Sequence, residues 1–375
     1  MTSDSTLAAS RPEAADEGTH EPDADILWSE SHYLDTVAPG AETGVYVRLG
    51  RLANQGRSHV MLAVVRPGRG PVILADPGAP SPTIDGTDLR VTAAGYRLEL
   101  VWDEPLGRLR VTASGTATGY AGAADVLWQA PGDPEAADGP GPEAGHPVAV
   151  EADLSWHTDG TPFRWRNQTR YEIPCRVSGH VTIDGERIDV DWVGQRDHSW
   201  GARDWWTIEW TWMAVHLDDG SRWHSSYVPV YPTAGEGYFQ LDGAVTETAS
   251  AETTASFSPE GLFGTTIVRI EPGGHTLYLS PVAFAPVAMV AEDGRVSFFP
   301  RATCRVTTAD GRTGVGWVEW NLLTVNDDIP RTEEPCASQS SASGGWQRPS
   351  RSILRGSPTS NRVRSAPGRW QRPIG

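Results

Sequence analysis

Asp-Gly pairs punctuate the chain, among them Asp85-Gly86, Asp184-Gly185, Asp219-Gly220, Asp242-Gly243, Asp293-Gly294 and Asp310-Gly311. They constrain the fold more than any other feature, because Asp-Gly tolerates the positive φ angles of tight hairpin turns. Between them lie short runs of β-branched and aromatic residues, such as Gly44–Gly50, His59–Arg66, Tyr96–Trp102, Arg176–Ile183, Thr276–Phe284 and Gly314–Leu323. Helical periodicity is nearly absent, so the pattern predicts antiparallel barrels or sandwiches. At 375 residues and 38% hydrophobic content, the chain has material for two such units, each with its own core. The division is placed at the Asp184-Gly185 turn. This gives a disordered acidic leader over residues 1–25, a first barrel over 26–186, a second over 187–326, and a disordered Arg/Ser/Pro/Gly-rich tail over 327–375. Pro131–Pro147 is expected to be a surface loop of the first barrel.

Composition then removes whole classes of chemistry. All 31 basic residues are Arg, with no Lys at any position. Schiff-base enzymes, pyridoxal phosphate enzymes, P-loop nucleotidases and kinases all need a lysine amine, so each is excluded. No dinucleotide-binding glycine motif follows an apolar strand, no H-E-x-x-H occurs, and Ser199 lacks the G-x-S-x-G elbow. Cys175, Cys304 and Cys336 are widely spaced, which fits neither a disulfide framework nor a zinc site. No metal and no cofactor are expected. A net charge of -17 argues against nucleic acid and anionic membrane as partners. With no run of about 20 apolar residues and no secretory leader, the expected location is the cytoplasm.

The remaining chemistry concentrates between Arg196 and Tyr227. Six of the 16 tryptophans lie between Trp200 and Trp223. If Asp219-Gly220 is a two-residue loop, His216 faces Trp223 and Trp212 faces Tyr227. One face of the hairpin then gathers Trp206, Trp210, Trp212, His216, Trp223 and Tyr227. Such a wall either fills a core or lines a cavity for a large apolar ligand. Just before it, Arg196-Asp197-His198-Ser199-Trp200-Gly201-Ala202-Arg203-Asp204 sets two Arg-Asp pairs around one His. Asp197 or Asp204 could hold His198 as a proton donor. Alternatively, the block is an Arg–carboxylate network that pins the barrel mouth. The candidate catalytic residues are therefore His198, Asp197 and Asp204. The candidate ligand-binding residues are Trp200, Arg203, Trp206, Trp210, Trp212, Trp223 and Tyr227.

Three segments carry a resemblance: Trp28-Ser29-Glu30-Ser31-His32-Tyr33, RYEIPCRVSGHVTIDG over Arg170–Gly185, and GQRDHSWGARDWW over Gly194–Trp206. In these the chain resembles the hydroxyneurosporene synthase-like family, which includes carotenoid 1,2-hydratases. The resemblance implies an all-β chain of two tandem lipocalin-like (calycin) barrels. It also implies cofactor-free addition of water to an isoprenoid double bond, through a cation stabilised by aromatic faces. The hydratases' His-x-Trp element corresponds to His198-Ser199-Trp200. Their Tyr-x-Asp element has its nearest match at Tyr227-Val228-Pro229, which lacks the Asp. Two functions follow from the sequence: a hydratase- or cyclase-like enzyme acting on an alkene, or a lipid carrier using the same pocket.

Overall fold

The computed structural model describes residues 11–128, 145–231, 236–291 and 294–323. The chain is an all-β protein of two tandem lipocalin-like barrels. In the first, eight antiparallel strands close a ring: Trp28–Val37, Gly44–Leu52, Arg57–Val65, Val72–Pro80, Arg108–Gly119, His146–Thr158, Arg170–Ile183 and Glu186–Ala202. Among the described residues the second sheet is a path of nine antiparallel strands, with Trp210–Leu217 and Thr313–Asn321 near its centre.

Strand alternation sorts side chains into three cores. Leu34, Val47, Leu49, Leu62, Trp156 and Tyr171 fill the first barrel. Met213, Val215, Trp223, Leu277, Leu279 and Trp320 pack within the second. A third core lies between the two sheets and takes residues of the opposite parity: Tyr33, Tyr46 and Met61 from the first, Trp212, Ala214 and Trp317 from the second. The first barrel's wall is thus buried on both faces along these strands, and any polar group on it must find a partner.

The structure departs from the sequence reading in three places. The Asp184-Gly185 turn does not separate the two units. Both residues have positive φ, as a tight hairpin requires, and the strand Glu186–Ala202 folds straight back onto Arg170–Ile183. The first barrel therefore runs through Ala202, and the second sheet starts at Trp210. The second departure concerns the leader, whose residues 11–25 are placed against the first barrel. Ala14–Glu17 form a 3₁₀ turn, and Glu17 is buried because it supplies the carboxylate for the buried Arg196.

The third departure is a slip of one residue in the aromatic hairpin. Only Gly220 of the Asp219-Gly220 pair has positive φ, and Leu217 N–H donates to Ser221 O. The loop therefore holds three residues, Asp218–Gly220, the alternative that suits one left-handed position. Trp223 now faces Val215, and Tyr227 faces Thr211. A slip of one residue sends side chains to the other face. Trp210 and Trp212 turn toward the first barrel, whereas Trp223 packs in the second core. The tail, and Pro131–Pro147 apart from its last three residues, lie outside the described residues.

Candidate active site

Strand register builds the site from two rows. Across the first barrel, Glu172 lies opposite Asp197, Asp197 opposite Tyr33, Tyr33 opposite Arg48, and Arg48 opposite Met61. Across the second sheet, Trp212 lies opposite Glu319, and Glu319 opposite Arg301. Opposite residues share a face, so the two rows meet in the layer between the sheets. There they enclose a chamber of about 60 Å³, walled also by Arg170, Arg203, Trp205, Trp210 and Phe299. Arg48, Arg203 and Trp205 are shared with an outer cavity of about 550 Å³, which adds Ile26, Leu27, Leu52, His59 and Trp206. The outer volume is within the usual range for small-molecule sites, and the inner one suits a head group.

The charges in this layer are held unequally. Arg170 donates to Glu172 at 2.8 Å and to Asp197 at 2.6 Å. Glu172 also accepts from Gln195 and from the Trp212 indole. Burial pushes the Asp197 carboxyl up to about 7, with Glu172 adding to the rise and Arg170 opposing it. Arg301 donates to Glu319 and lies 3.7 Å from the centre of the Tyr46 ring. Arg48 stacks 4.2 Å over Trp205. A Cβ on Gly50 would sit 3.0 Å from Arg48 Nη1, so glycine leaves the guanidinium its room. Burial, with Arg170 next, holds the pKa of Arg203 below its ordinary value.

His198 belongs to a different place. It neighbours Asp197 on one strand and so points to the opposite face, where it stacks on His32 with ring centres 4.0 Å apart. Its Nδ1 is 2.9 Å from the Asp16 carbonyl, and its Nε2 is 3.2 Å from Glu30 Oε1. Both ring nitrogens thus lie within hydrogen-bonding distance of an oxygen. Glu30 further accepts from His20 and from Arg51. Burial pushes the Glu30 carboxyl up, but its hydrogen bonds to His198 and His20 outweigh this and hold it well below its ordinary value. His20, Glu30 and His198 each offer one ligand atom, all within 4.8 Å of one another. Among the described residues these are the ones that could hold a metal. Trp200 stacks on His20 at 3.7 Å and covers this cluster, not the cavity. Asp204 lies on the link between the barrels, accepts from Trp206 N–H and faces Arg295 at 3.5 Å.

The chain matches the family described as a domain of unknown function, DUF7064, over residues 13–324. It belongs to the DUF7064 family. That match includes the segment 13–25 that carries Asp16, Glu17 and His20. A comparison of the DUF7064 chain with curated proteins finds no match by sequence. Solved structures share its fold. Kievitone hydratase from Nectria haematococca is 14% identical with a TM-score of 0.51, over 85% of this chain and 95% of the hydratase. CghA with Sch210972 is 9% identical with a TM-score of 0.52, over 83% and 95% of the two chains. These likenesses show the tandem-barrel fold implied by the sequence resemblance.

Of the residues singled out in the DUF7064 sequence, the structure brings Asp197, Arg203, Trp210 and Trp212 to the inner chamber and Trp206 to the outer cavity. His198, Asp204, Trp200, Trp223 and Tyr227 line neither. The sequence reading missed Arg48, Arg170, Arg301, Tyr33, Trp205 and Glu319. A signal for Arg48 was available. In Gly44–Leu52 the apolar Val45, Val47 and Leu49 alternate with Tyr46 and Arg48, and an aromatic beside a charge on the second face marks that face as more than a solvated one.

Proposed function

We propose that the paired cavities bind an elongated apolar molecule and that Asp197 exchanges a proton with its alkene, in a hydratase- or cyclase-type reaction. The observation that carries this reading is the carboxyl of Asp197, raised to about 7 by burial, on the wall of a chamber faced by Trp205, Trp210 and Trp212. A carboxyl poised near neutrality holds and releases a proton at working pH. In the hydration form, the Asp197 proton adds to one alkene carbon and the π electrons form the new C–H bond. Water captures the cation at the other carbon, and the proton that water sheds returns to the carboxylate. Indole faces stabilise the cation between these steps. Arg170 orients Asp197 and keeps Glu172 as a second partner, so Asp197→Asn leaves the strand pairing intact.

The test uses solvent deuterium with a panel of isoprenoid and polyketide-like alkenes. Wild-type protein is expected to place deuterium on the alkene carbon. Asp197→Asn is expected to abolish incorporation while ligands still quench tryptophan fluorescence. Ligands that bind the wild type and return unlabelled would make the protein a carrier. Labelling at the wild-type rate by Asp197→Asn would remove Asp197 from the chemistry.

A further inference from the structure

The arginines of the inner chamber are more numerous than its carboxylates. Arg48, Arg170, Arg203 and Arg301 line it, against Asp197 and Glu319. The carboxylates are already engaged, Asp197 by Arg170 and Glu319 by Arg301. Tyr33 gives its hydroxyl hydrogen to Asp35. Arg48 is 7% exposed, yet its Nη1 is buried with no acceptor among the described residues. Arg301 is 3% exposed, and its Nε and Nη1 are likewise without acceptors. Buried guanidinium donors without acceptors are expensive to maintain, and here the two side chains that carry three such nitrogens both line one chamber.

Both guanidinium groups lie over rings, Arg48 over Trp205 and Arg301 over Tyr46. Stacking occupies the flat face of a guanidinium and leaves its in-plane N–H edge for a ligand. A planar oxyanion matches such an edge with paired hydrogen bonds. The chamber has room for a head group only, and the apolar walls of Ile26, Leu27, Leu52 and Trp206 lie in the outer cavity.

We infer that the substrate is an apolar molecule ending in a singly charged, delocalised oxyanion, a carboxylate or the enolate of a β-dicarbonyl, seated between Arg48 and Arg301. This rests on the cavity reading above and adds the charge of the ligand to it. The body of the molecule extends past Trp205 and Trp206. Arg203, half-buried at the junction of the two cavities, adds a third guanidinium on the route in.

The test compares parinaric acid with its methyl ester, which share one polyene and differ by one charge. Both are titrated into the full-length protein at pH 8 and followed by energy transfer from tryptophan. The acid is expected to bind about tenfold more tightly or better, the usual scale for charge-assisted hydrogen bonds. Arg48→Met should remove most of the acid's advantage over the ester and leave the ester unchanged. Among the described residues Arg48 has no carboxylate partner to strand, and circular dichroism verifies the fold. Arg203→Gln, at a half-buried position, should give a smaller loss in the same direction. A long-chain β-diketone against its enol methyl ether assigns the head group between the two forms. Equal binding of acid and ester by the wild type would overturn the oxyanion and keep the apolar cavity. Binding of neither would overturn the cavity itself, and the oxyanion with it.

Discussion

The strand Glu186–Ala202 serves two buried polar clusters, one on each face, and they differ in how their charges are met. On the inward face, Arg196 meets Glu17, and His198 meets Glu30, which also holds Arg51. On the outward face, Asp197 meets Arg170 and Glu319 meets Arg301, but among the described residues Arg48 stands without a carboxylate. Both faces are buried, so burial alone does not mark a site. The difference lies in charge: opposite charges pair within the inward cluster, and cations outnumber their partners in the outward one. A buried network whose charges match is a structural device. The unpaired cation beside a chamber is the feature that the proposed ligand would answer.

The largest effect expected from this contrast is at Glu17. Glu17→Ala leaves the 3%-exposed Arg196 without the carboxylate that pairs with it, and removal of one partner from a buried pair costs about 3–5 kcal/mol. Chemical denaturation would register this as a lower midpoint at unchanged slope. A loss below about 1 kcal/mol would place the inward cluster outside the cooperative core.

His198 should give a smaller loss and divides the two faces most directly. His198→Ala is expected to cost about 1–3 kcal/mol by taking one hydrogen-bond partner from the buried Glu30 carboxylate, with deuterium exchange into bound alkene unchanged. The variant should also respond less to acid. The Glu30 pKa is depressed by folding, so its stabilisation is complete above its ordinary value of 4.5 and is lost as pH falls below it. Without His198 that depression shrinks, and the acid limb of stability against pH flattens. Exchange lost at full stability would return His198 to the chemistry.

The smallest effect concerns the split aromatic hairpin. Trp223→Leu should leave parinaric acid affinity within about twofold, because Trp223 packs in the second core. Trp206→Leu should weaken it several-fold. The opposite order would restore the single aromatic wall that a two-residue loop predicts.

These cases also mark what the sequence could and could not disclose. Strand content and the hairpins at Asp184-Gly185 and Asp242-Gly243 were legible, because turn chemistry and period-2 alternation are local. The register at Asp219-Gly220 was not, since the choice between a two- and a three-residue loop depends on which face of Trp210–Leu217 meets the first barrel. Asp197 and Arg203 were legible as a dense ionisable block. Their separation from His198 followed from alternation alone, once that block was known to be strand. Arg48 and Arg301 were out of reach as a pair, because 253 positions separate them and only the packing of the two sheets brings them together.

The inward cluster also sets an order of events in time. Glu17 is joined to Arg196 across 179 positions, and Thr36 O accepts from the Trp317 indole across 281. At roughly 5–20 residues per second of synthesis, Glu17 leaves the ribosome roughly 10–40 s before its cationic partner exists. During that interval the segment around the 3₁₀ turn has nearer partners, Glu30 and Arg51, but not Arg196. The first strand can pair early with Gly44–Leu52, but its other edge is filled only when the strand Glu186–Ala202 arrives. Contacts of such long range make folding slow. The same two residues that hold the finished barrel together therefore decide how late in its synthesis it can close.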